Sequence, residues 1–482
     1  MLFNSYIFLF FFFPVVLIGY FVLLKFQGER RLTCQWLILG SLFFYAYWDV
    51  SYLVLLLVSI TGNFCFVKLI VRNPKSSMRL ILGVSANLAL LGYFKYSNFF
   101  LDSLYSLAGV DYNFRHIILP LAISFYTFQQ ITYLVDLSKD PSDEKPYLDY
   151  LLFVTFFPQL IAGPIVHHRE MMPQFLKRPS RTQCLEMFSL GLFLFGIGLF
   201  KKVVVADTFS PWVGAGFSSA TTLTLIDSWV VALSYTFQLY FDFSGYSDMA
   251  IGLAMMLGIR LPWNFNSPYK SLSIQDFWRC WHMTLSRFLR DYVYIPLGGS
   301  RCSKRRVQIN LFLTFLLGGI WHGAGWTFII WGALHGVACI IHRAWTQSGM
   351  KLPRIGAWIL TFLFVNFAWV FFRAENLTDA FHVLGAMIGL DGVGISPKIA
   401  EKLSFIGDFV TQNEGFMPGI QSKPGAILMI AVAFVVTIFL PSSYRLSQTF
   451  KPCLKSAIAI GLLLAVSIVH LDRLSEFLYF QF

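Results

Sequence analysis

A charge-free stretch of 36 residues, from Val307 to His342, constrains the fold of this chain more than any other feature. Arg305 and Arg306 precede it, and Arg343 follows it. A single straight helix of that length would extend about 54 Å, whereas the hydrocarbon core of a bilayer is roughly 30 Å thick. Glycines at positions 318, 319, 323 and 325 offer a break. Because both ends are basic, the stretch predicts a hairpin of two membrane helices that returns to its side of origin.

His322 lies near the predicted apex of this hairpin, deep in the bilayer. A titratable side chain is costly there, so an intramembrane histidine is a hypothesis for a functional site. The alternative at this point is a structural histidine that bonds a backbone carbonyl freed by the glycines. Burial disfavours the charged imidazole, and the neutral form is able to accept a proton. His322 is therefore a candidate general base.

The composition predicts an all-α, polytopic integral membrane protein. Of the 482 residues, 56% are hydrophobic and 13% are charged, compared with about 25% charged residues in a soluble domain. The pattern predicts about 11–12 transmembrane helices, with re-entrant and amphipathic interfacial helices. The spans are 6–24, 32–48, 50–71, 79–100, 116–136, 185–205, 225–246, 356–373, 425–441, 456–471 and the hairpin 307–342. Prolines at 158 and 164 interrupt the apolar segment 150–166, which predicts a re-entrant element buried in protein.

The net charge of +12 follows the membrane topology and does not indicate a nucleic-acid partner. Of the 37 Lys and Arg residues, 28 fall in alternating loops, namely 25–31, 68–79, 137–184, 258–306, 343–354 and 441–455. Basic residues concentrate on the cytoplasmic side of membrane proteins. The distribution therefore predicts that the N-terminus, the long loop 374–424 and the C-terminus lie outside.

The segment 258–306 is too polar to span a bilayer, yet it is rich in tryptophan and tyrosine. Within it, 4-3-4-3 helical spacing relates Trp278, His282, Leu285, Leu289 and Tyr292. This spacing predicts an amphipathic helix over 278–292 at the cytoplasmic boundary, with His282 on its apolar stripe. Two interpretations stay open here: simple anchoring to the interface, or a functional histidine.

Other catalytic patterns are missing from the sequence. It contains no nucleophile elbow, no Walker A loop and no paired glycosidase-like carboxylates, and its seven cysteines predict neither a disulfide framework nor a metal site. Asp242 and Asp248, at the end of the span 225–246, are interpreted as a cap or arginine partners. His335 is expected to line the cytoplasmic entrance. A buried histidine base could activate a hydroxyl to attack an acyl thioester, although composition alone does not select that reaction.

Two motifs resemble the signature of the membrane-bound O-acyltransferase family, and more narrowly its bacterial alginate O-acetyltransferase subfamily. The first runs from Trp278 to Gly299 (WRCWHMTLSRFLRDYVYIPLGG), and the second is Gly319-Ile320-Trp321-His322-Gly323. The resemblance implies a central tunnel with His322 as the catalytic histidine and His282 as the second signature polar position. It also implies acetyl-CoA as the acyl donor, with no permanently bound cofactor. The candidate donor-binding residues, on the basic cytoplasmic side, are Trp278, Arg287, Arg290 and Tyr292.

The same resemblance implies a multi-pass protein of the bacterial inner membrane that acts with a periplasmic acetyltransferase or esterase-like partner. The final acceptor would be an exopolysaccharide. A single membrane domain is expected over 1–482, with N-terminal helices in 1–136, a catalytic core at about 150–345 and C-terminal helices in 356–482. Two alternatives are an acyltransferase for peptidoglycan or teichoic acid, and a transporter or flippase that carries out no bond chemistry.

Overall fold

A computed structural model of the protein describes residues 1–25, 30–74, 76–110, 116–177, 180–395, 410–412, 423–472 and 478. The helices within them are α1 (Phe13–Lys25), α2 (Arg30–Ala46), α3 (Val50–Arg72), α4 (Ser77–Ala108), α5 (Ile123–Lys139), α6 (Tyr147–Thr155), α7 (Phe157–Leu160), α8 (His168–Phe175), α9 (Arg181–Phe200), α10 (Asp207–Ser218), α11 (Leu225–Met256), α12 (Ile274–Cys280), α13 (Met283–Leu289), α14 (Lys304–His322), α15 (Trp326–Gln347), α16 (Arg354–Arg373), α17 (Leu377–Met387), α18 (Lys423–Phe439), α19 (Ser443–Thr449) and α20 (Leu454–Val469).

Short elements complete this helical chain. The π-helical segments are Phe8–Phe12, Lys201–Ala206 and Arg290–Tyr294, and the 3-10 turns are Pro141–Asp143, Ala220–Thr222 and Pro268–Lys270. Two strands of three residues, β1 (Val393–Ile395) and β2 (Val410–Gln412), pair in parallel.

Six helical segments of the described chain are long and apolar enough to cross a bilayer. They are Phe8–Lys25, Val50–Arg72, Ser77–Ala108, Arg181–Ser218, Trp326–Gln347 and Arg354–Arg373. A seventh is added if Gly425–Phe439 and Ser443–Thr449, which meet at an angle of 50°, form one span. The prediction of an all-α polytopic membrane protein is confirmed. The other predicted spans coincide with shorter or more polar helices, so the count of 11–12 crossings stays a prediction.

Two predicted spans differ from the helices that form. The span expected at 116–136 begins only at Ile123, because Pro120 disfavours helix in the preceding residues and Ala122 adopts a left-handed backbone with φ 62°. The span expected at 225–246 continues to Met256. Asp242 and Asp248 therefore lie within α11 and do not end it.

The interrupted segment 150–166 has the broken, buried structure that its prolines predict. The helices α6 and α7 meet at Phe156, and the chain then leaves helical geometry before Pro164. Every side chain from 150 to 166 is buried. Much of the predicted outer loop 374–424 lies outside the described residues, namely 396–409 and 413–422.

The chain forms two compact units. The first comprises residues 1–199, 246–263 and 450–471, and the second comprises 200–245, 264–449 and 472–482. In the first unit, the amides of Asn63 on α3 and Asn87 on α4 donate to each other's oxygens at 3.1 and 2.6 Å. In the second unit, an aromatic core surrounds the fully buried Trp331 and Trp369. The division into 1–136, 150–345 and 356–482 stays a prediction.

Candidate active site

Close contact between two helices creates the predicted hairpin. An added Cβ at Gly319 would lie 2.4 Å from the carbonyl oxygen of Phe328, and one at Gly332 would lie 2.6 Å from that of Phe315. Only glycine permits such an approach, as at the small-residue contacts typical of membrane helices. The turn between the helices, residues 323–325, leaves helical geometry where the glycines predicted a break. His322 is thus the last residue of α14, at the hairpin apex.

Aromatic rings enclose the His322 imidazole, whose residue is 6% exposed. The ring centroid of Trp331 lies 5.1 Å away at an interplanar angle of 86°, and that of Phe372 also lies 5.1 Å away. The centroid of His282 lies at 6.3 Å. The two histidines of the signature motifs therefore meet, although 40 residues separate them in the chain.

His282 occupies a break between two short helices, so the prediction of one continuous helix over 278–292 is wrong. The helix α12 ends at Cys280 and α13 begins at Met283. Between them His282 adopts a left-handed backbone, with φ 41° and ψ 53°. Such a conformation is uncommon for a residue other than glycine and occurs frequently at functional sites. The break directs the imidazole into the protein, where it is fully buried.

Asn264 determines which nitrogen of His282 carries the proton. Its Oδ1 atom accepts from the backbone N–H of Thr284 at 3.4 Å and from the Thr284 hydroxyl at 2.9 Å. A backbone N–H can only donate, so this Asn264 atom is the amide oxygen. The Nδ1 atom of His282 lies 3.0 Å from the same oxygen and must be the donor. In the neutral ring, Nε2 is then unprotonated and accepts hydrogen bonds.

Burial keeps the His282 ring uncharged. His282 lies outside the spanning helices, and desolvation lowers its pKa from 6.5 to about 3. An imidazole with this pKa remains neutral near pH 7 and is a weak base. His282 is therefore suited to accept a hydrogen bond through Nε2 rather than to remove a proton.

His335 contacts a residue that also contacts His322, and it is fully buried. Its ring centroid lies 4.7 Å from that of Trp331, which also contacts His322. The residue is fully buried, and its Nδ1 atom accepts from the indole N–H of Trp278 at 3.1 Å. The expectation that His335 lines the cytoplasmic entrance is corrected, because His335 is fully buried behind Trp278, and Trp278, not His335, lines a cavity.

That cavity has a volume of about 460 Å³ and lies at the end of the hairpin away from its apex. Its walls include Trp278, Tyr294, Phe315, His342 and Arg343. The last two were not identified as site residues from the sequence. The sequence feature that could have identified them is their position seven and eight residues beyond His335, which places them two turns along the same helix face.

Of the four predicted donor-binding residues, Trp278 lines the cavity, and the other three do not belong to its wall. The guanidinium of Arg290 forms a two-point contact with Asp291, at 2.7 and 3.1 Å. Tyr292 stacks on Phe288 at 5.3 Å, and Arg287 is half-buried on α13. Donor contacts by Arg287, Arg290 and Tyr292 stay a prediction, as does the tunnel through the protein.

A buried ion cluster includes Asp242 on α11, the residue before Phe243, whose ring contacts His282 at 4.8 Å. Lys202 bonds Asp207 at 2.9 Å and also forms an ion pair with Asp242, and all three residues are at most 5% exposed. The partner of Asp242 is thus a lysine within a helix, not an arginine at a span end. The sequence feature that could have indicated this cluster is a pair of lysines, Lys201 and Lys202, inside an apolar run.

Comparisons with known proteins agree with the two motifs. The model of the membrane-bound O-acyltransferase family matches residues 126–378. The chain is 46% identical to the peptidoglycan O-acetyltransferase of Helicobacter pylori, over 100% of this chain and 98% of that protein. It is 39% identical to a probable alginate O-acetylase of Azotobacter vinelandii over the full length of both. The teichoic acid D-alanyltransferase of Bacillus subtilis is 29% identical over 53% of this chain and 69% of its own length.

Proposed function

This chain belongs to the membrane-bound O-acyltransferase family, and from that premise we propose that it passes an acetyl group from cytosolic acetyl-CoA to an acceptor outside the cytoplasm. The observation that carries the proposal is the meeting of His322 with the neutral His282, 6.3 Å apart, inside an aromatic enclosure. Membership in this family disfavours the alternative of a transporter without bond chemistry.

His322 acts as the general base in this proposal. It removes the proton from an acceptor hydroxyl as the oxygen attacks the acetyl thioester, and it returns the proton to the departing thiolate. His282 accepts a hydrogen bond through Nε2 and thereby orients the hydroxyl or the thioester. The division of labour follows from burial, which makes His282 a weak base, and from the Asn264 contact, which leaves Nε2 of His282 as the hydrogen-bond acceptor.

The donor would enter from the cavity beside Arg343, on the side that the charge distribution assigns to the cytoplasm. A cationic side chain at this wall suits the phosphates of a coenzyme A thioester. The acetyl group then leaves on the outer side, where a periplasmic acetyltransferase or esterase-like partner places it on the final acceptor. A cytosolic donor and a periplasmic partner require a protein of the bacterial inner membrane, and we assign this protein to that membrane.

An exported polysaccharide is the first candidate acceptor, in keeping with the similarity to the alginate O-acetylase. The second candidate is peptidoglycan, because its O-acetyltransferase in Helicobacter pylori is 46% identical over nearly the full length of both proteins. Both are glycans with free hydroxyls. The two acceptors are distinguished by chemical analysis of the products.

His322→Ala tests the proposal in a deletion strain complemented with each variant. We expect O-acetyl groups on the modified glycan to fall by about 100- to 10,000-fold, the usual contribution of a general base, while the protein still inserts. Mass spectrometry of exopolysaccharide and of muropeptides identifies which glycan loses acetyl groups. His382→Ala, a change at an exposed histidine on α17, is the matched control and should retain acetylation. Wild-type acetylation by His322→Ala would exclude His322 from the mechanism.

A further inference from the structure

Two buried aromatic side chains, each with a ring N–H group, lie beside each other on the face of α15 that meets His322. Trp331 is 1% exposed and His335 is 0% exposed. They are four residues apart, so their side chains neighbour each other on one helix face. Their ring centroids lie 4.7 Å apart. Trp331 also contacts the His322 ring, at 5.1 Å, which places both residues between the candidate base and the Trp278 wall of the cavity.

The proton position on His335 follows from its contact with Trp278. An indole nitrogen can only donate, so the Nδ1 atom of His335, 3.1 Å from it, must be the acceptor. In the neutral ring the proton is then on Nε2. Trp331 likewise presents an indole N–H. His335 Nε2 and Trp331 Nε1 are therefore both donors.

Neither donor has a hydrogen-bond partner among the residues that the structure describes. Buried donors without partners are rare, because the group loses its water and gains no replacement. Two of them on neighbouring rings, one of which contacts the candidate base, require an explanation. An oxygen of a bound ligand would satisfy both.

We propose that Trp331 and His335 bind the thioester carbonyl oxygen and stabilise the oxyanion that forms on it; this inference rests on the proposed acyl transfer. As the acceptor oxygen bonds to the carbonyl carbon, the π electrons of the C=O bond move to the carbonyl oxygen, and His322 takes the hydroxyl proton. The two N–H groups donate to the resulting oxyanion. When the C=O bond re-forms, the C–S bond breaks and the thiolate receives the proton from His322.

Substitutions of Trp331 and His335 can separate hydrogen-bond donation to the oxyanion from a contribution to packing. Trp331→Phe keeps an aromatic ring and removes the N–H. His335→Asn retains an acceptor near the Nδ1 position for Trp278 but lacks a donor at the Nε2 position, whereas His335→Gln reaches the Nε2 position with an amide donor. Trp358→Phe is the matched control, since its indole N–H already donates to the carbonyl oxygen of Tyr269 at 2.9 Å.

The experiment measures radiolabelled acetyl transfer from acetyl-CoA to endogenous glycan in inverted membrane vesicles, with each variant quantified by immunoblot. We expect Trp331→Phe and His335→Asn to lower kcat by about 100-fold, as for loss of one oxyanion donor, with the donor KM little changed. His335→Gln should retain more activity than His335→Asn. Trp358→Phe should lower the unfolding temperature without lowering kcat.

Near-wild-type kcat in Trp331→Phe overturns the inference, and so does a loss that is confined to a raised donor KM, because an oxyanion contact acts in the transition state. If His335→Asn fails to fold, Trp331→Phe decides alone. Should His322→Ala abolish transfer while Trp331→Phe and His335→Asn retain it, the inference fails and the proposed function stands. Should His322→Ala retain transfer, both fail.

Discussion

His282 and His322 are both buried imidazoles whose rings contact Trp321, but the rest of their surroundings differ. Asn264 orients His282, and its surroundings exclude water. His322 ends a helix, beside the residues 323–325 that turn the hairpin. The two sequence motifs predict that both histidines function in the reaction. Which one removes the proton depends on partners distant in the chain.

The lowered pKa of His282 predicts how the free energy of unfolding depends on pH. In the unfolded chain His282 binds a proton below pH 6.5, but in the folded protein it does so only below about pH 3. Between these values the unfolded state binds more protons, so stability increases with pH up to 6.5 and is then constant. Between pH 6.5 and 5, wild type should lose about 2 kcal/mol through this group.

Comparison with His282→Gln isolates this contribution, because glutamine keeps an amide near the Nε2 position and does not titrate. Thermal unfolding in detergent at pH 5 and pH 7 should show a larger decrease for wild type than for the variant. Equal decreases in the two proteins would show that His282 is not held neutral by the fold.

At the scale of elements, the sequence predicts the hairpin well, and it predicts the segment around His282 poorly. Charge at both ends and four glycines suffice for the break at 323–325, since both signals are local. The 4-3-4-3 spacing over 278–292 suggests one helix, but Asn264 binds the backbone N–H of Met283 and the side chain of His282 and thereby stabilises a left-handed turn. Periodicity carries no information about such a distant partner.

Sequence periodicity also fails to predict the buried ion cluster of Lys202, Asp207 and Asp242, and the structure shows why. Lys202 and Asp207 are five residues apart, a separation that does not share a face in an α-helix. The segment Lys201–Ala206 is π-helical, and the Asp207 N–H donates to the carbonyl of Lys202, five residues earlier. Their side chains therefore meet, and Asp242 joins them from α11.

Lys202→Met should destabilise the folded protein strongly. It leaves two carboxylates buried without their cation, and breaking a buried ion pair typically costs about 3–5 kcal/mol. We expect little monodisperse protein after detergent extraction and a lowered unfolding temperature. Lys201→Met is the matched control, because the neighbouring lysine is only half-buried and bonds the Ser443 hydroxyl at 3.3 Å. Equal stability of the two variants would contradict a stabilising role for the cluster.

At the scale of the whole molecule, composition predicts the class of protein and the charge distribution predicts its orientation. The proposed chemistry depends on that orientation, since acetyl-CoA is available only in the cytosol. The cavity beside His342 and Arg343 lies at the end of α15 that precedes the loop 348–353. This loop must therefore face the cytoplasm for the donor to reach the cavity.

Cysteine labelling across the single helix α16 tests this orientation. Lys351 precedes the helix and Glu375 follows it, and both are exposed. In a background without the native cysteines, Glu375→Cys should react with a membrane-impermeant maleimide in intact spheroplasts, whereas Lys351→Cys should react only after permeabilisation, because basic loops stay inside. The reverse pattern would open the cavity to the outside, where no acetyl-CoA is present. His322 would then need an extracytoplasmic donor, and the direction of acetyl transfer proposed above would be wrong.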